Sequence, residues 1–283
     1  MRMIKYIREM TEEALALRLS GKSIGFVPTM GYFHEGHLSL MRAARPENDV
    51  VVVSLFVNPT QFGPDEDLER YPQDMNRDVE QALGADVDIL FVPENKEIYP
   101  EGFCTAINVQ GLSERLCGES RPGHFQGVAT IVNKLFHLVL PHRAYFGLKD
   151  FQQTVVVRRM VADLNLDLEI VTLPTVREED GLAMSSRNSY LSTEERSAAV
   201  CLKESLDQAL RQIEEGEPSA DRVRGSIRER IGREKLARID YVSVSDPHTL
   251  TELSQIQGEV LVALAVYFGK TRLIDNLLIQ SQG

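Results

Sequence analysis

Phe26-Val27-Pro28-Thr29-Met30-Gly31-Tyr32-Phe33-His34-Glu35-Gly36-His37 joins two kinds of periodicity. Residues 23–27 read as a short apolar strand, and Leu38-Ser39-Leu40-Met41-Arg42-Ala43-Ala44 carries apolar residues near helical spacing. The stretch is therefore a strand, a glycine-containing turn and a helix start. Gly31 and Gly36 permit turn conformations and a close approach of backbone to a ligand. A helix start offers unpaired N–H groups and partial positive charge, which suits phosphate. His34 and His37 stand three residues apart and share one face of a helical turn. Two imidazoles beside a phosphate can donate hydrogen bonds to a pentavalent phosphorus centre and to its leaving group. The same pair can also ligate a metal, or pack and cap the helix start. Zinc would need three or four ligands, and no further set stands nearby in the sequence.

The 283 residues suffice for one large domain or two unequal ones. Apolar and charged fractions of 43% and 26% are those of a soluble globular chain. No apolar run approaches a membrane span, and Met1-Arg2-Met3-Ile4-Lys5-Tyr6-Ile7 lacks the apolar stretch of a secretory signal. A cytoplasmic protein with no membrane partner is expected. Cys104, Cys117 and Cys201 are far apart and odd in number, which fits free structural thiols rather than a disulfide framework or a zinc knuckle. A net charge of −11 argues against a nucleic-acid partner. A triphosphate site on such a chain has to rely on a few local cations.

Residues 9–20 read as an amphipathic helix, with Gly21 placed to end it. Val50-Val51-Val52-Val53-Ser54-Leu55-Phe56 is continuously apolar and β-branched, as expected of a strand buried on both faces of a parallel sheet. Strand, helix and strand make a βαβ unit, whose ligand site lies at the carboxyl ends of the strands. At that edge the chain continues into Val57-Asn58-Pro59-Thr60-Gln61-Phe62. Asn58 and Gln61 can orient a small hydroxy acid by amide hydrogen bonds; an Asx-Pro turn with a solvated glutamine fits the same residues. Residues 63–72 are acidic and turn-rich, a surface loop or a lid. A helix is expected over 74–83 and a buried strand over 87–92.

Arg121 and His124, ahead of an apolar helix over 128–140, are either an anion site or a capped loop. Arg143-Ala144-Tyr145-Phe146-Gly147-Leu148-Lys149-Asp150-Phe151-Gln152-Gln153 repeats the first architecture: a short strand, a glycine and a charged helix start. Lys149 there can reach phosphate oxygens as a point charge, although an ordinary strand–helix junction reads the same way. After a strand over 168–173, Met184-Ser185-Ser186-Arg187 supplies two hydroxyls and a guanidinium, an anion cradle or a serine-rich linker. Ser192-Thr193-Glu194-Glu195 is a capping box, which opens one long helix to about residue 215. A charged helix over 218–231 and strands over 240–244 and 260–267 complete a smaller α+β domain.

These blocks together resemble one family. Pro-Thr-Met-Gly-x-x-His-x-Gly-His over residues 28–37 resembles the His-x-Gly-His nucleotidyltransferases and, within them, the pantothenate synthetases (pantoate–β-alanine ligases). Residues 56–62 resemble that family's Phe-Val-Asn-Pro-x-Gln-Phe, residues 146–153 its Phe-Gly-x-Lys-Asp-x-Gln-Gln, residues 184–187 its Met-Ser-Ser-Arg, and residues 265–276 its closing block. The departures are Tyr32-Phe33, where a small residue and leucine are usual, and Gln73, where arginine is usual.

The resemblance implies an α/β fold: a Rossmann-like parallel-sheet domain over 1–186 that binds nucleotide and pantoate, and a smaller α+β lid over 187–283. It implies ATP contacts from Met30, Gly31, Tyr32, Phe33, His34, Glu35, Gly36, His37, Gly147, Leu148, Lys149, Asp150, Val176, Met184, Ser185, Ser186 and Arg187. Gln61 and Gln153 take the pantoate positions, and His34, His37, Lys149 and Arg187 the catalytic ones. It further implies ATP, pantoate and β-alanine as substrates, Mg²⁺ carried by the triphosphate, no dedicated protein metal site, no organic cofactor, and a homodimer. The implied reaction passes through an enzyme-bound pantoyl adenylate and releases AMP and pyrophosphate. Two other readings are a nucleotidyltransferase that releases a stable nucleotidylated product and a non-catalytic nucleotide-binding protein. The first is usually shorter and lacks the two substrate glutamines; the second would tolerate loss of the histidines, which are present here.

Overall fold

Strands and helices alternate through the first two thirds of the chain. The computed structural model describes residues 1–281, so the last two residues of the second domain expected over 187–283 lie outside the described residues. The order is β1 (Arg2–Ile4), α1 (Ile7–Leu19), β2 (Ile24–Thr29), α2 (Glu35–Glu47), β3 (Val50–Leu55), α3 (Met75–Gly84), β4 (Ile89–Phe91), α4 (Asn95–Ile98), α5 (Cys117–Ser120), α6 (His124–Val139), β5 (Arg143–Gly147), α7 (Phe151–Asp163) and β6 (Glu169–Leu173). Then follow α8 (Thr193–Ala198), α9 (Cys201–Glu214), α10 (Ala220–Gly232), β7 (Ala237–Ser245), β8 (Glu259–Phe268) and β9 (Thr271–Gln280). The chain divides into two compact units. The first comprises Met1–Ser113, Arg121–Leu148 and Gln153–Pro174; the second comprises Glu114–Ser120, Lys149–Gln152 and the chain from Thr175 onward.

The first unit is Rossmann-like. Its six strands lie in the order β1-β4-β3-β2-β5-β6 and all pair in parallel. Both faces are covered, which is why the strands read as unbroken apolar runs. On one face Val27, Val51, Val53 and Leu90 pack with Leu40, Met41 and Ala44 of α2 and Ala82 of α3. On the other, Phe26 meets Phe136 of α6 edge to face at 6.4 Å, and Phe136 meets Phe146 at 6.5 Å. The strand order reverses between β2 and β5, and there the sheet opens. β2 pairs with β3 from Ile24 to Thr29, but with β5 only at Gly25 and Phe26. Pro28, which has no N–H to donate, lies where the β5 ladder has already ended. Open α/β sheets bind ligands outside the carboxyl ends of their strands at such a reversal.

The second unit carries the antiparallel sheet β7-β8-β9. Val242, Val244, Val260, Val262, Leu264 and Leu273 pack with Leu202, Leu206 and Ala209 of α9 and Val223 and Ile227 of α10. The α+β character expected of this region is what the structure has. The single helix expected from the capping box is two helices. α8 ends at Ala198 and α9 starts at Cys201, because the N–H of Leu202 bonds to the carbonyl of Ala199, three residues back, and tightens the turn. Ser192 still accepts from the N–H of Glu195 and Glu195 from that of Ser192, so the capping box is present. Edge strand β1 and strand β9 were not legible in advance: β1 has three residues, too few to show alternation. Among the described residues, no helix is long and apolar enough to cross a membrane.

Candidate active site

The turn after β2 is built from its own residues and from α3. Thr29 donates its hydroxyl to the Ser54 carbonyl at 2.7 Å and accepts the N–H of Gly31 at 3.2 Å, which ties the end of β2 to β3. Gly31 and Tyr32 then both take left-handed backbone, at φ +86° and +51°. A non-glycine residue in that region is strained by about 1–3 kcal/mol and needs neighbours that hold it. α3 supplies them. Asp78 accepts the N–H of Tyr32 and the N–H of Phe33, both at 2.7 Å. Arg77 donates to the Phe33 carbonyl at 3.3 Å, and its guanidinium lies 5.2 Å from the centre of the Tyr32 ring. The Asp78 side chain is buried, and burial pushes its carboxyl above the usual range while the two N–H donors pull it down.

At the helix start that follows, the N–H groups of His34, Gly36 and His37 are paired within the turn, where the sequence reading expects unpaired amides. His34 is the N-cap of α2 and accepts the N–H of Gly36 on Nδ1 at 3.1 Å. The N–H of His34 in turn donates to Nδ1 of His37 at 3.3 Å, and the N–H of His37 donates to the His34 carbonyl at 2.8 Å. A Cβ on Gly36 would lie 2.8 Å from Cε1 of His34, so only glycine lets that ring fold over the first turn. Both Nδ1 atoms act as acceptors, so each neutral ring carries its proton on Nε2. The rings are 4.1 Å apart, centre to centre. The arrangement is thus a capping device that also sets out two Nε2–H donors side by side. Phe33, fully buried, packs its ring 5.7 Å from that of His37. Glu35 is exposed and pairs with Arg42.

The turn after β3 is equally built. Asn58, 1% exposed, donates to the Gly127 carbonyl at 3.2 Å and to Oε1 of Gln61 at 3.0 Å. Gln61 then donates from Nε2 to the sulfur of Met30 at 3.1 Å. Two predicted site residues from separate strand ends, Met30 and Gln61, are thereby brought together. Arg121 and His124 do not read as an anion site. Arg121 makes a two-pronged contact with Glu66 at 2.8 and 2.6 Å, and His124 Nδ1 lies 2.8 Å from the Gln61 carbonyl, so the pair braces the Gln61 turn. Gly147 ends β5, Leu148 opens the short turn that follows it, and Gln153 stands half-buried on the first turn of α7.

In the second unit, Lys149 and Asp150 lie in one tight turn, with Lys149 Nζ 3.9 Å from the Asp150 carboxylate. The Lys149 carbonyl accepts from the Asn276 side chain at 2.8 Å. Residues 176–184 form a hairpin, and the short turn Ser186–Tyr190 follows it, so the serine-containing stretch has defined local structure. Met184 donates its N–H to the Val176 carbonyl at 3.0 Å, and Arg177 bridges to Ala183. Arg177 makes a two-pronged pair with Asp275 at 2.7 and 2.9 Å, and Arg196 pairs with Glu178 and Asp180 at 2.6 and 2.8 Å. Ser185 accepts the N–H of Arg187 at 3.3 Å and caps the short turn Ser186–Tyr190; Ser186 is buried. Lys149 is therefore held by its backbone and Arg187 by the cap before it.

Asp78, Tyr99, Arg177, Asp275 and Asn276 were not singled out from the sequence. Asp78 had one legible signal: it is an acid on the buried stripe of α3, four residues before Ala82. Asp275 and Asn276 sit in mid-strand, where two polar residues interrupt an apolar run.

The chain matches the family model described as pantoate-beta-alanine ligase over residues 2–278. It is 56% identical to the pantothenate synthetase of Acetivibrio thermocellus over 280 residues, 99% of this chain and all of that one. The crystal structure of pantothenate synthetase from Thermus thermophilus superposes with a TM-score of 0.92 at 48% identity, covering 98% of this chain and 99% of that one. The pantoate-beta-alanine ligase of Francisella tularensis, complexed with beta-gamma ATP and beta-alanine, superposes with a TM-score of 0.81 at 35% identity, covering 98% of this chain and 97% of that one. Motif blocks, sheet topology and the whole-length matches agree that the chain belongs to the pantoate–β-alanine ligase family and is a ligase.

Proposed function

We propose that this chain uses ATP to condense pantoate with β-alanine through an enzyme-bound pantoyl adenylate. The observation that carries the reading is the pair of Nε2–H donors on His34 and His37 at the carboxyl end of β2. Two neutral donors side by side suit the non-bridging oxygens of an α-phosphate as they gain charge. The complex of the Francisella tularensis relative with beta-gamma ATP and beta-alanine supports the same substrates here.

In the first step a pantoate carboxylate oxygen attacks the α-phosphorus and pyrophosphate leaves. In the second, the β-alanine amine attacks the acyl carbon, loses a proton and expels AMP, which leaves the amide of pantothenate. His37 donates to the α-phosphate or the leaving group. His34, Lys149, Ser185, Ser186 and Arg187 balance phosphate charge. Gln61 and Gln153 orient pantoate. Catalysis is then positioning and charge stabilisation, with no covalent enzyme intermediate. ATP enters as its magnesium complex. Phosphate and water oxygens would supply most of the magnesium ligands. The C-terminal domain acts as a lid, and the working protein is a cytoplasmic homodimer.

Incubation with MgATP, pantoate and β-alanine tests the proposal. The expected products are AMP, pyrophosphate and pantothenate in equal amounts, with pyrophosphate appearing from ATP and pantoate alone in a single turnover. ADP as the nucleotide product excludes the adenylate. A nucleotidylated product that accumulates in the presence of β-alanine favours a plain nucleotidyltransferase.

A further inference from the structure

We infer that Tyr99 is a positioning residue: with the Gly127 carbonyl it locks Asn58, and Asn58 fixes the polarity of the Gln61 side-chain amide, so that Gln61 meets its substrate with NH₂ and never with its carbonyl. The inference rests on the proposal that Gln61 orients pantoate, and it deepens that proposal by stating which atom does so.

Amide orientation is settled by hydrogen-bond partners, and here one partner is unambiguous. A backbone carbonyl can only accept. The Gly127 carbonyl lies 3.2 Å from Nδ2 of Asn58, so that corner of Asn58 is its NH₂. Two hydroxyls secure the opposite corner: Tyr99 donates to Oδ1 of Asn58 at 2.7 Å, and Thr60 donates to the same oxygen at 2.9 Å. With Asn58 oriented, the Gln61 atom 3.0 Å from Nδ2 has to be an acceptor, Oε1. Nε2 is then turned toward the Met30 sulfur at 3.1 Å, a weak acceptor that a ligand oxygen readily replaces.

The network is seated rigidly. Asn58 is 1% exposed, and the turn lies so close to α6 that a Cβ on Gly127 would stand 2.4 Å from the Thr60 carbonyl oxygen. Burial also raises the Tyr99 hydroxyl above its ordinary pKa, so it stays a neutral donor. The consequence is a rule for the ligand: the group that meets Gln61 is a carboxylate or hydroxyl oxygen acting as acceptor. A substrate analogue bearing only a donor there would face two opposed N–H groups.

Tyr99→Phe and Gln61→Ala, singly and together, test the inference by kinetics and by NMR of protein with labelled glutamine, asparagine and methionine. In the parent protein the Gln61 NH₂ protons show a nuclear Overhauser effect to the Met30 methyl, and the Asn58 NH₂ exchanges slowly. Tyr99→Phe should weaken both signals and raise KM for pantoate about three- to tenfold, with KM for ATP unchanged. In the Gln61→Ala background, Tyr99→Phe should have no further effect on KM for pantoate. Unchanged NMR signals and KM in Tyr99→Phe overturn the inference, and so do effects that multiply in the double variant. If Gln61→Ala leaves KM for pantoate unchanged while Tyr99→Phe still abolishes the Gln61–Met30 effect, the amide polarity stands and the pantoate assignment fails.

Discussion

The carboxylate of Asp78 accepts the backbone N–H of Phe33 at 2.7 Å, from a point 45 residues further along the chain. With its second oxygen on the N–H of Tyr32, it holds open the left-handed turn that delivers His34 and His37 to the edge of the sheet. A carboxylate accepts on both arms, whereas an asparagine accepts on one and would push an NH₂ at the other N–H. The raised carboxyl has a further consequence for stability. A folded-state pKa above the unfolded value means stability that is present in acid and lost as pH rises through the folded value, so the ionised group is a net cost at neutral pH. Asp78→Asn should therefore leave thermal stability at pH 7 equal or higher, yet slow pyrophosphate release about 10- to 100-fold through misplaced histidines. Parallel calorimetry and single-turnover assays check this. A variant of normal rate would show that the turn needs no such anchor.

His37 caps and donates with different nitrogens, so the two roles separate. His37→Asn keeps an acceptor near the Nδ1 position for the N–H of His34 but has no donor where Nε2–H stands. Both His37→Asn and His37→Ala should slow adenylate formation about 100- to 1,000-fold with little change in ATP binding. Only His37→Ala should also lose about 1 kcal/mol of stability from the missing cap. Rapid-quench and urea-unfolding measurements on the two variants decide the matter; near-normal turnover in either would remove His37 from the chemistry.

Gln61→Ala and Gln153→Ala should each raise KM for pantoate about ten- to a hundredfold, and KM for ATP little. Gln61→Glu should be worse than Gln61→Ala. It removes the NH₂ donor and sets a negative charge beside the attacking carboxylate. Steady-state kinetics with each substrate varied in turn is the check, and loss of ATP affinity with retained pantoate affinity would reverse the assignment.

Arg187 follows Ser186 in a turn capped by Ser185, directly after the hairpin braced by the Arg177–Asp275 pair. Arg187→Ala should weaken ATP binding and slow adenylate formation, each about tenfold or more, the scale of one lost charge-assisted hydrogen bond. Titration calorimetry with a non-hydrolysable ATP analogue reads the first effect. If both quantities are untouched, the hairpin is only a connection.

Tyr145, fully buried, donates to Glu47 at 2.6 Å and accepts from Asn48 at 2.8 Å. Burial, then the bond to Glu47, pushes its phenol up to about 12. Because the folded value exceeds the unfolded value of about 10, its contribution is intact below pH 10 and is lost as pH rises toward the folded value. About 2–3 kcal/mol of stability should disappear across that window. Tyr145→Phe should be less stable at pH 7 but flatter between pH 10 and 12, as read by urea unfolding at stepped pH. Parallel pH profiles for the two proteins would contradict this.

Much of the architecture was legible because it is local. Val50-Val51-Val52-Val53 announces a doubly buried strand, and the spacing of His34, Gly36 and His37 announces a helix start, since both depend on neighbours within one turn or one pleat. The break between α8 and α9 was not legible, because Ala199 and Val200 stay in helical conformation and only one hydrogen bond shifts from four residues back to three. Strand β9 was hidden by its polar interruption at Asp275 and Asn276, whose partners Arg177 and Lys149 lie some hundred residues earlier in the chain.

The sequence by itself determined the βαβ order, the family, and the placing of the histidines, the lysine and the Met-Ser-Ser-Arg block at element ends. Only the tertiary structure decided what those residues present. It turned the helix-start amides inward onto Nδ1 of His34 and His37, left Nε2 as the donor, supplied Asp78 to the turn, and oriented Gln61 through Asn58 and Tyr99. The physical reason is the reach of the interactions. Propensity and periodicity act over a few neighbours and leave a mark in the sequence. A hydrogen bond between residues 45 or 41 positions apart leaves none until the sheet brings them within 3 Å.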